Sequence, residues 1–521
     1  MPSRELPIPF PASGLVRALG YQTGEPSATH GALNVVPDDS GEARTRGGTR
    51  PGVVKRYANQ LDGPPRFMVR VATGDEATRV YEQLVIGTDA NIYLGRSIAS
   101  GDSVPITYTE GLQPLTGDLL TEDGRPLLTE SGDTLVIDDF QVGAVNRRGV
   151  IAYQGQVIIG PNDVKIAEGS GTVDGDQLTD STVADWTALA IDPDVHWVEI
   201  VGQGTTFGTY RIDSVSPGSI TFERPANTTA EVVTYVVREG IRVIDPETTT
   251  LSLLRTTAGT PPVNADAVAV FRDRLVWAVG RTWFMSRQGD AGDYDYGAAT
   301  DDPGAAIAGN ASDAGQPADP IIAMAAIGLD FLVLFAESST WMFRGDPGFG
   351  GALYALSRST GCVGPRAWCQ GDRLETFFLA KDGLYAMPPG GGDIKALSPG
   401  RLPRDLRGID RDNFMVTLAY DPEDDGVLIF VAPRGGGVGK HWWFDIATES
   451  FWPLRLSSSS HQPVDAVTFG GAPDRPRRVV WRRPTGTSEN GRGTTTTVSR
   501  SRVTSCSVRT PWGSGGISTA S

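Results

Sequence analysis

The chain has 521 residues, with 64 glycines, 36 prolines and a formal net charge of −16. So many turn-forming residues exclude a fold dominated by long helices. The three cysteines, Cys362, Cys369 and Cys506, are too few for a disulfide scaffold and are expected to be idle or packed in a core. The acidic surplus repels phosphates, which disfavours ordinary reading of DNA or RNA sequence.

No segment has the pattern of a secretory signal or of a membrane span. Residues 1–11 contain no uninterrupted apolar run and are interpreted as a mature terminus. The most apolar stretch, 321–336, contains Asp330 and is shorter than the roughly 18–20 residues of a membrane-spanning helix. We therefore expect a soluble chain.

Residues 1–160 are predicted to form an N-terminal segment and the first strands of a larger β structure. Apolar runs such as 83–87 are bounded by glycine or aspartate, as expected of strands. An imperfect tandem near 112–138, with a period of about eight residues, carries a turn signal in each copy. It predicts stacked hairpins that project from the body and are too short to be a domain.

Residues 161–240 are predicted to be an inserted β domain, either a small barrel or a sandwich. Short strands at 197–201, 209–212 and 219–222 alternate between apolar and polar residues. Because insertions of this kind occupy surface loops of a scaffold, we expect this one to contact a neighbouring molecule.

Residues 241–490 repeat one unit, in which two strands joined by an Asp-Arg or Asp-Gly turn are followed by an aromatic-rich strand. Four copies can be read directly, at 268–286, 322–343, 375–385 and 416–453. Their spacing of roughly 45–55 residues is typical of four-stranded propeller blades, which must stack radially to bury both faces. The sequence therefore predicts an all-β fold, a β-propeller of six to eight blades whose first blades lie in 1–160.

A tandem of β-sandwiches would give similar strand patterns and is the alternative fold. The segment 443–452 argues against it, because its aromatic residues predict a tight hairpin with cross-strand contacts. Such hairpins usually cover the outer edge of a blade.

Residues 491–521 are predicted to be a disordered or frame-displaced tail. From Arg475 to the last residue there are nine arginines and one acidic residue, so this part carries +8, and residues 1–474 carry −24. Its serine, threonine and glycine content is typical of disorder. The codons around 484–497 can also be read in a shifted frame that looks more like a blade strand. A moved reading frame is therefore a hypothesis, which sequencing of the coding DNA would decide.

Patterns that carry catalysis or metal binding are not found in the sequence. The four histidines have no partner at metal-ligand spacing, and no nucleophile elbow, phosphate-binding loop or dinucleotide motif occurs. Acidic clusters at 290–296, 301–302 and 423–425 are interpreted as solvated turns, with calcium ligands or a glycosidase carboxylate pair as alternatives. We predict no catalytic residue, no cofactor and no metal site, and a protein that is not an enzyme.

The N-terminal segment and the repeated units resemble a known family. The run Arg44-Thr-Arg-Gly-Gly-Thr-Arg-Pro-Gly resembles a signature of phage tail nozzle and tail tubular proteins of short-tailed phages. Three segments, 271–278, 283–290 and 335–347, are similar to the propeller core of the same proteins. The resemblance covers about residues 30–480; the inserted β domain is not diagnostic of it, and the tail departs from the pattern.

This resemblance implies a structural virion protein that forms a homohexameric nozzle below the portal and adaptor. The ring would continue the DNA channel for genome retention and ejection. Implied partners are further copies of the chain, portal and adaptor proteins, and tail fibre or tail needle proteins, with genomic DNA passing through without sequence recognition. The implied location is the phage tail of the virion, after synthesis in the host cytoplasm. A charge of −24 over 1–474 agrees with a channel wall that repels DNA.

Six charged residues are candidate assembly or loop contacts: Arg44, Arg46, Arg50, Asp290, Asp293 and Asp295. The arginines are predicted to bridge acidic neighbours or to pack beneath the first blade, with a solvated loop as the alternative. The aspartates belong to an acidic loop that suits a ring contact.

A second function class stays open, a carbohydrate-binding or carbohydrate-cleaving propeller for attachment to the host surface. In that case Trp341, Trp442 and Trp443 would stack on sugars. The same tryptophans equally suit the core of a blade. A cellular scaffold propeller is a third option, without a distinguishing sequence feature.

Overall fold

The computed structural model describes most of residues 149–469, with gaps at 162–164, 202–205, 249, 298–301, 311–313, 398–402, 435–436 and 457–461. It also describes strands and short segments between 10 and 114, and strands at 478–482 and 495–498. The regular structure is almost entirely β. Among the described residues, short 3-10 helices lie at Trp186–Leu189, Pro347–Phe349 and Arg404–Leu406. No described helix is long and apolar enough to cross a membrane.

The first strands among the described residues are short. They are β1 (Val35–Pro37), β2 (Gly47–Thr49) and β3 (Val53–Lys55). The first two pair with each other as an antiparallel ribbon. Blade 1 follows and contains β4 (Phe67–Asp75), β5 (Arg79–Gly87), β6 (Ile92–Gly95) and β7 (Gln113–Pro114). The rest of the hairpin tandem predicted at 112–138 lies outside the described residues.

Blade 2 is interrupted by the inserted domain. Its first two strands are β8 (Val150–Tyr153) and β9 (Gln156–Ile159). The insertion contains β10 (Lys165–Asp174), β11 (Gln177–Thr179), β12 (His196–Val201), β13 (Gly208–Ser216), β14 (Ser219–Phe222) and β15 (Glu231–Glu239). The blade then resumes with β16 (Arg242–Asp245) and β17 (Thr250–Leu253), followed by the short β18 (Ala258–Gly259).

Blades 3 and 4 correspond to the first two repeated units of the sequence. Blade 3 contains β19 (Ala267–Phe271), β20 (Arg274–Val279), β21 (Thr282–Met285) and β23 (Ile307–Ala308), and the short β22 (Asp293–Tyr294) lies in the loop before β23. Blade 4 contains β24 (Ile321–Ile327), β25 (Phe331–Ala336), β26 (Thr340–Arg344) and β27 (Ala352–Ser357).

Blades 5, 6 and 7 complete the series. Blade 5 contains β28 (Trp368–Gln370), β29 (Thr376–Leu379), β30 (Leu384–Met387) and β31 (Lys395–Ala396). Blade 6 contains β32 (Phe414–Asp421), β33 (Gly426–Pro433), β34 (His441–Asp445) and β35 (Ser450–Leu454). Blade 7 contains β36 (Asp465–Phe469), β37 (Arg478–Arg482) and β38 (Thr495–Val498), with β3 as its fourth strand.

The seven four-stranded sheets of the described residues form a closed ring. The first strand of each sheet lies innermost, and neighbouring inner strands contact each other from β36 through β4, β8 and β19 to β24, and from β28 through β32 to β36. Between β24 and β28, Gln370 Nε2 donates to Ala326 O at 2.8 Å. The predicted β-propeller is thus confirmed, with seven blades, and the tandem of sandwiches is excluded.

The ring is closed by strands from both ends of the sequence. In blade 7 the N-terminal β3 pairs with β38, so that Val53 lies opposite Val498. This pairing places Thr495–Val498 in a strand, whereas the sequence predicts a disordered or frame-displaced tail from 491. The remainder of that tail lies outside the described residues, and the moved reading frame stays a hypothesis.

The inserted domain is a closed six-stranded barrel, as one of the two predicted forms. Its strands follow the order β12-β15-β10-β11-β14-β13, and β13 pairs again with β12. Buried side chains such as Trp186, Val198 and Tyr235 fill its interior. The barrel interrupts the turn between two paired strands, because Ile159 at the end of β9 lies opposite Arg242 at the start of β16.

Side-chain size follows the geometry of the ring. Where inner strands converge near the axis, small residues are buried, as at Ala269 in β19 and Ala323 in β24. At the outer edge of blade 6, Trp443 of β34 lies opposite Trp452 of β35, which confirms the predicted aromatic hairpin. Large rings at the periphery fill the space between sheets that diverge from the axis.

Candidate functional site

A cavity of about 1490 Å³ lies at the centre of the ring. The inner strands of all seven blades contribute to its wall, which includes apolar side chains such as Ile151, Val268 and Ile322. Because every blade has the same strand order, the inner strands all run in the same direction. We call the end at which they begin the first mouth and the end at which they finish the second mouth.

The cavity wall carries more cationic than anionic side chains, although the whole chain has a net charge of −16. The charged residues in the wall are Arg70, Arg366, Arg411, Arg434, Asp372 and Asp412. Arg411 and Arg434 lie at the first mouth, next to the start of β32 and the end of β33, and Arg366 lies deeper, beside Thr417 of β32. Asp372 lies in the turn after β28, at the second mouth.

Arg366 is held by its backbone in the loop before β28. It forms a parallel bridge with Thr417, and its carbonyl accepts a hydrogen bond from Leu418 N at 2.8 Å. Its Nε lies 3.8 Å from Oδ1 of the buried Asp465, which is an ion pair but is too long for a hydrogen bond. Within the described residues the Arg366 guanidinium donates no hydrogen bond, so its N–H groups are available to the cavity.

Arg411 and Arg434 lie together at the first mouth. Arg411 donates a hydrogen bond to Glu337, which also lies 3.8 Å from Lys381 Nζ. Arg434 Nε donates to the backbone carbonyl of Arg411 at 3.1 Å. In the described part of the chain, the terminal nitrogens of Arg434 have no hydrogen-bond acceptor. The charge of Arg411 is therefore balanced by Glu337, and Arg434 keeps free donors.

Arg70 projects from β4 of blade 1. It lies 3.3 Å from Glu82 and donates to Thr468 O at 3.4 Å. This arginine therefore joins blade 1 to blade 7 and has its acidic partner within its own sheet.

A second polar cluster surrounds Arg274, the first residue of β20, which is fully buried. Its guanidinium donates to three backbone carbonyls, Ser286 at 2.9 Å, Ala305 at 2.6 Å and Pro303 at 2.7 Å. Its Nε lies 3.8 Å from Oδ2 of the buried Asp346 in blade 4. Burial lowers the pKa of Arg274, and the carboxylate of Asp346 opposes this effect.

The three candidate aspartates after β21 accept hydrogen bonds from their own loop. Asp290 accepts from Gly292 N at 2.8 Å, Asp293 from Asp295 N at 2.9 Å, and Asp295 from Gly297 N at 2.9 Å. Such Asx turns shape a loop locally. Asp293 is buried, which raises the pKa of its carboxyl. Contact of these three aspartates with a neighbouring subunit stays a prediction.

The same loop packs between blades 2 and 3 and connects them to the barrel. Tyr294 is fully buried, and its hydroxyl accepts a hydrogen bond from Trp277 Nε1 at 2.8 Å. Next to it, β22 pairs with β18, and Gly259 of β18 pairs with Gly208 of the barrel. A Cβ on Gly259 would lie only 2.1 Å from Tyr294 O, so glycine is required there. Sequence reasoning identified this loop as acidic and missed the buried tyrosine that anchors it.

The remaining residues that the sequence analysis considered are three arginines and two cysteines. Arg44, Arg46 and Arg50 lie outside the described residues. Cys362 and Cys369 are free and buried. Burial raises the pKa of the Cys362 thiol to about 12 and also raises that of Cys369.

The residues considered for calcium or sugar binding were compared with their surroundings in the fold. Among the described residues, no three His, Cys, Asp or Glu side chains are grouped as metal ligands. Trp442 and Trp443 are each only 4% exposed, so they pack inside their blade rather than offering a face to a sugar. Trp341 is partly buried and donates to Ser339 Oγ at 2.7 Å.

Comparison with known proteins finds no family model and no curated protein that matches this sequence. Among solved structures, a chain in the crystal structure of the mitotic checkpoint complex is similar over 93% of this chain and 99% of its own, with 9% identity and a TM-score of 0.38. The extracellular domain of a putative hybrid two-component system from B. thetaiotaomicron matches 83% of this chain and 40% of its own, with 9% identity and a TM-score of 0.35. The calcium-binding protein regucalcin from Agrobacterium tumefaciens matches 50% of this chain and 82% of its own, with 12% identity and a TM-score of 0.29.

Proposed function

We propose that this chain is a structural virion protein without catalytic activity, which forms a six-fold tail nozzle in a short-tailed phage. In this role it would join the portal or adaptor and continue the DNA channel for genome retention and ejection. Its binding partners would be other copies of itself, the portal and adaptor, and fibre or needle proteins of the tail.

The observation that carries this proposal is the joint around Arg274. The three propeller segments that resemble nozzle proteins, 271–278, 283–290 and 335–347, meet there, because Arg274 binds Ser286 O and faces Asp346. Residues that are far apart in the sequence are thus used as one structural unit. A fully buried guanidinium bound to backbone carbonyls ties a blade to its neighbour, which suits a protein that must resist deformation under pressure.

The positions of acidic residues support passage of DNA along one face of the propeller. In each of blades 3 to 6 the turn between the first two strands carries an aspartate, and these are Asp273, Asp330, Asp372 and Asp425. All four turns follow inner strands, so they lie on the same face of the ring. A surface of this charge repels phosphates and allows DNA to slide without adhering.

The barrel offers an apolar surface for contacts between subunits. Val201, Phe207 and Val232 are 44%, 39% and 73% exposed, and they lie at neighbouring ends of barrel strands. Exposed apolar groups of this size favour burial against a partner. We place part of the ring interface there.

The test is the mass and symmetry of the full-length protein, alone and mixed with portal or adaptor rings, by light scattering and negative-stain imaging. A closed six-fold ring, alone or on those rings, is the expected result. A monomer that does not bind the portal or adaptor rings would overturn the nozzle proposal and favour a sugar-binding or enzymatic propeller. Val232→Asp is expected to weaken the ring, whereas Val438→Asp, at a position 57% exposed in a propeller loop, serves as the matched control.

A further inference from the structure

We infer that the central cavity of each propeller is a binding site for a small organic anion, a carboxylate or phosphate attached to an apolar body. This inference is independent of the nozzle proposal, because it concerns the cavity inside one chain and not the channel of a ring.

The size and the wall of the cavity define the apolar part of the ligand. A volume of about 1490 Å³ exceeds the roughly 300–1,000 Å³ of common small-molecule sites, so a ligand of ordinary size fits with water. Apolar side chains of several inner strands surround this space, and Trp368 and Phe414 add aromatic surface to it. Such a wall favours a ligand with an aliphatic or aromatic portion.

Arg366 supplies the anchor for the anionic part. Its backbone is fixed to β32 through Leu418 N, so the guanidinium starts from a defined position. Its ion pair with Asp465 is long, at 3.8 Å, and leaves its N–H donors without acceptors in the described part of the chain. A planar guanidinium with free donors binds a carboxylate or phosphate through two parallel hydrogen bonds.

A second cation lies nearer to the first mouth. Arg434 follows β33 at the level of Asn413, whereas Arg366 lies at the level of Thr417. Four residues of a strand separate these levels by about 13 Å. Arg434 is exposed and keeps its terminal donors free, so it contributes attraction at the mouth, while Arg366 binds within the cavity. Arg70 and Arg411 contribute less because Glu82 and Glu337 are their partners.

The acidic side chains that line the cavity, Asp412 and Asp372, lie at its ends. Asp412 lies in the loop before β32 and Asp372 in the turn after β28, so neither shares the level of Arg366. Asp465 does share it, but its carboxylate is 1% exposed and lies behind the arginine in the wall. An anion that enters from the first mouth therefore passes Arg434 and reaches Arg366.

The experiment titrates the full-length protein with phenyl phosphate, inorganic phosphate and benzyl alcohol, by calorimetry and ligand-observed NMR. Phenyl phosphate combines the anion with an apolar body, and each of the other two probes supplies only one of these. We expect phenyl phosphate to bind about tenfold more tightly than either. Replacing it with benzoate identifies whether phosphate or carboxylate is preferred.

Two variants locate the site. Arg366→Gln is expected to weaken phenyl phosphate at least about tenfold, the loss of a bidentate charged pair. Arg434→Gln, at an exposed position without an ion pair among the described residues, is expected to weaken it about threefold and preserves the fold. Arg358→Gln, an exposed arginine of the loop before β28 that does not line the cavity, is the control and is expected to bind normally.

Either of two results would overturn the inference. One is that the wild-type protein shows no binding of phenyl phosphate or benzoate up to about 1 mM, where a site of even modest affinity is occupied. The other is that Arg366→Gln and Arg434→Gln both bind as tightly as Arg358→Gln, which would place the anion elsewhere.

Discussion

Replacing Arg274 by methionine is expected to destabilise the propeller more than any exposed arginine substitution. Methionine fills similar space but removes the three hydrogen bonds to Ser286, Ala305 and Pro303, leaving these carbonyls without their donor. It also leaves Asp346, which is 5% exposed, without its cationic neighbour. The perturbation therefore acts on polar groups that are already shielded from water.

The magnitude follows from the burial of the pair. Removing one partner of a buried ion pair costs about 3–5 kcal/mol. The loss of the three hydrogen bonds is largely included in this figure, because the same guanidinium makes the ion pair and the hydrogen bonds. We expect the free energy of unfolding to fall by about 3–5 kcal/mol. Arg274→Lys keeps the charge and some of the donors, so it should recover about half of this loss. Asp346→Asn keeps the oxygen that accepts from Gly348 N at 2.9 Å and leaves the Arg274 guanidinium bound to its three carbonyls, so no buried group loses a hydrogen bond and a smaller loss of about 1 kcal/mol is expected.

Urea unfolding followed by tryptophan fluorescence measures these differences. The matched control is Arg281→Met, which makes the same chemical change at an exposed residue between β20 and β21 and should alter stability by less than about 0.5 kcal/mol. If Arg274→Met unfolds at the same urea concentration as the control, the buried guanidinium does not hold blades 3 and 4 together. The structural basis of the proposed function would then be lost as well.

Four further predictions concern buried groups. Burial raises the pKa of Cys362 to about 12 and also raises that of Cys369. Neither thiol of the folded protein should therefore react with a thiol reagent at pH 8. Early labelling of either thiol would contradict their burial in the core. The folded chain keeps these two protons above the unfolded thiol pKa of about 8.5, so stability should fall by roughly 1 kcal/mol per thiol between pH 8.5 and 9.5, and a double Cys→Ala variant should show a shallower decline. Tyr294→Phe leaves Trp277 Nε1 without its acceptor and should lower the free energy of unfolding in urea by about 1–3 kcal/mol. An unchanged urea midpoint would show that this hydrogen bond does not hold the loop between blades 2 and 3. Gly259→Ala should increase hydrogen exchange at β18 and β22, whereas unchanged protection would show that the close approach to Tyr294 relaxes without cost.

The propeller was predictable because blades 3 to 6 are each specified by a continuous segment of sequence. In 268–286, alternating apolar residues, a tight turn and an aromatic strand recur in the same order in later units. The turn has a local physical requirement, since Arg272 and Asp273 adopt positive φ angles of 51° and 59°. Four such units at a regular spacing leave few folds that bury both faces of every sheet.

The closure of the ring was not predictable from those patterns. The strand Val53–Lys55 pairs with Thr495–Val498, and the latter lies in a threonine-rich run that predicts disorder when it is considered alone. Pairing between strands so far apart depends on the ends of the ring meeting in space. The structure of the loop at 290–297 also differs from the expectation. Its acidic composition indicates a solvated surface, whereas Tyr294 is fully buried.

Hydrophobic alternation and turn chemistry act between near neighbours, so the strands, their repetition and the position of the inserted β domain follow from the sequence. The roles of the charged residues, in contrast, depend on contacts between distant parts of the chain. Arg274 follows the turn between β19 and β20 and Arg366 lies in the loop before β28, yet one is enclosed by backbone carbonyls and the other keeps free donors facing a cavity. The difference arises from burial and from partners on other blades, since the energy of a charge depends on everything that surrounds it in space.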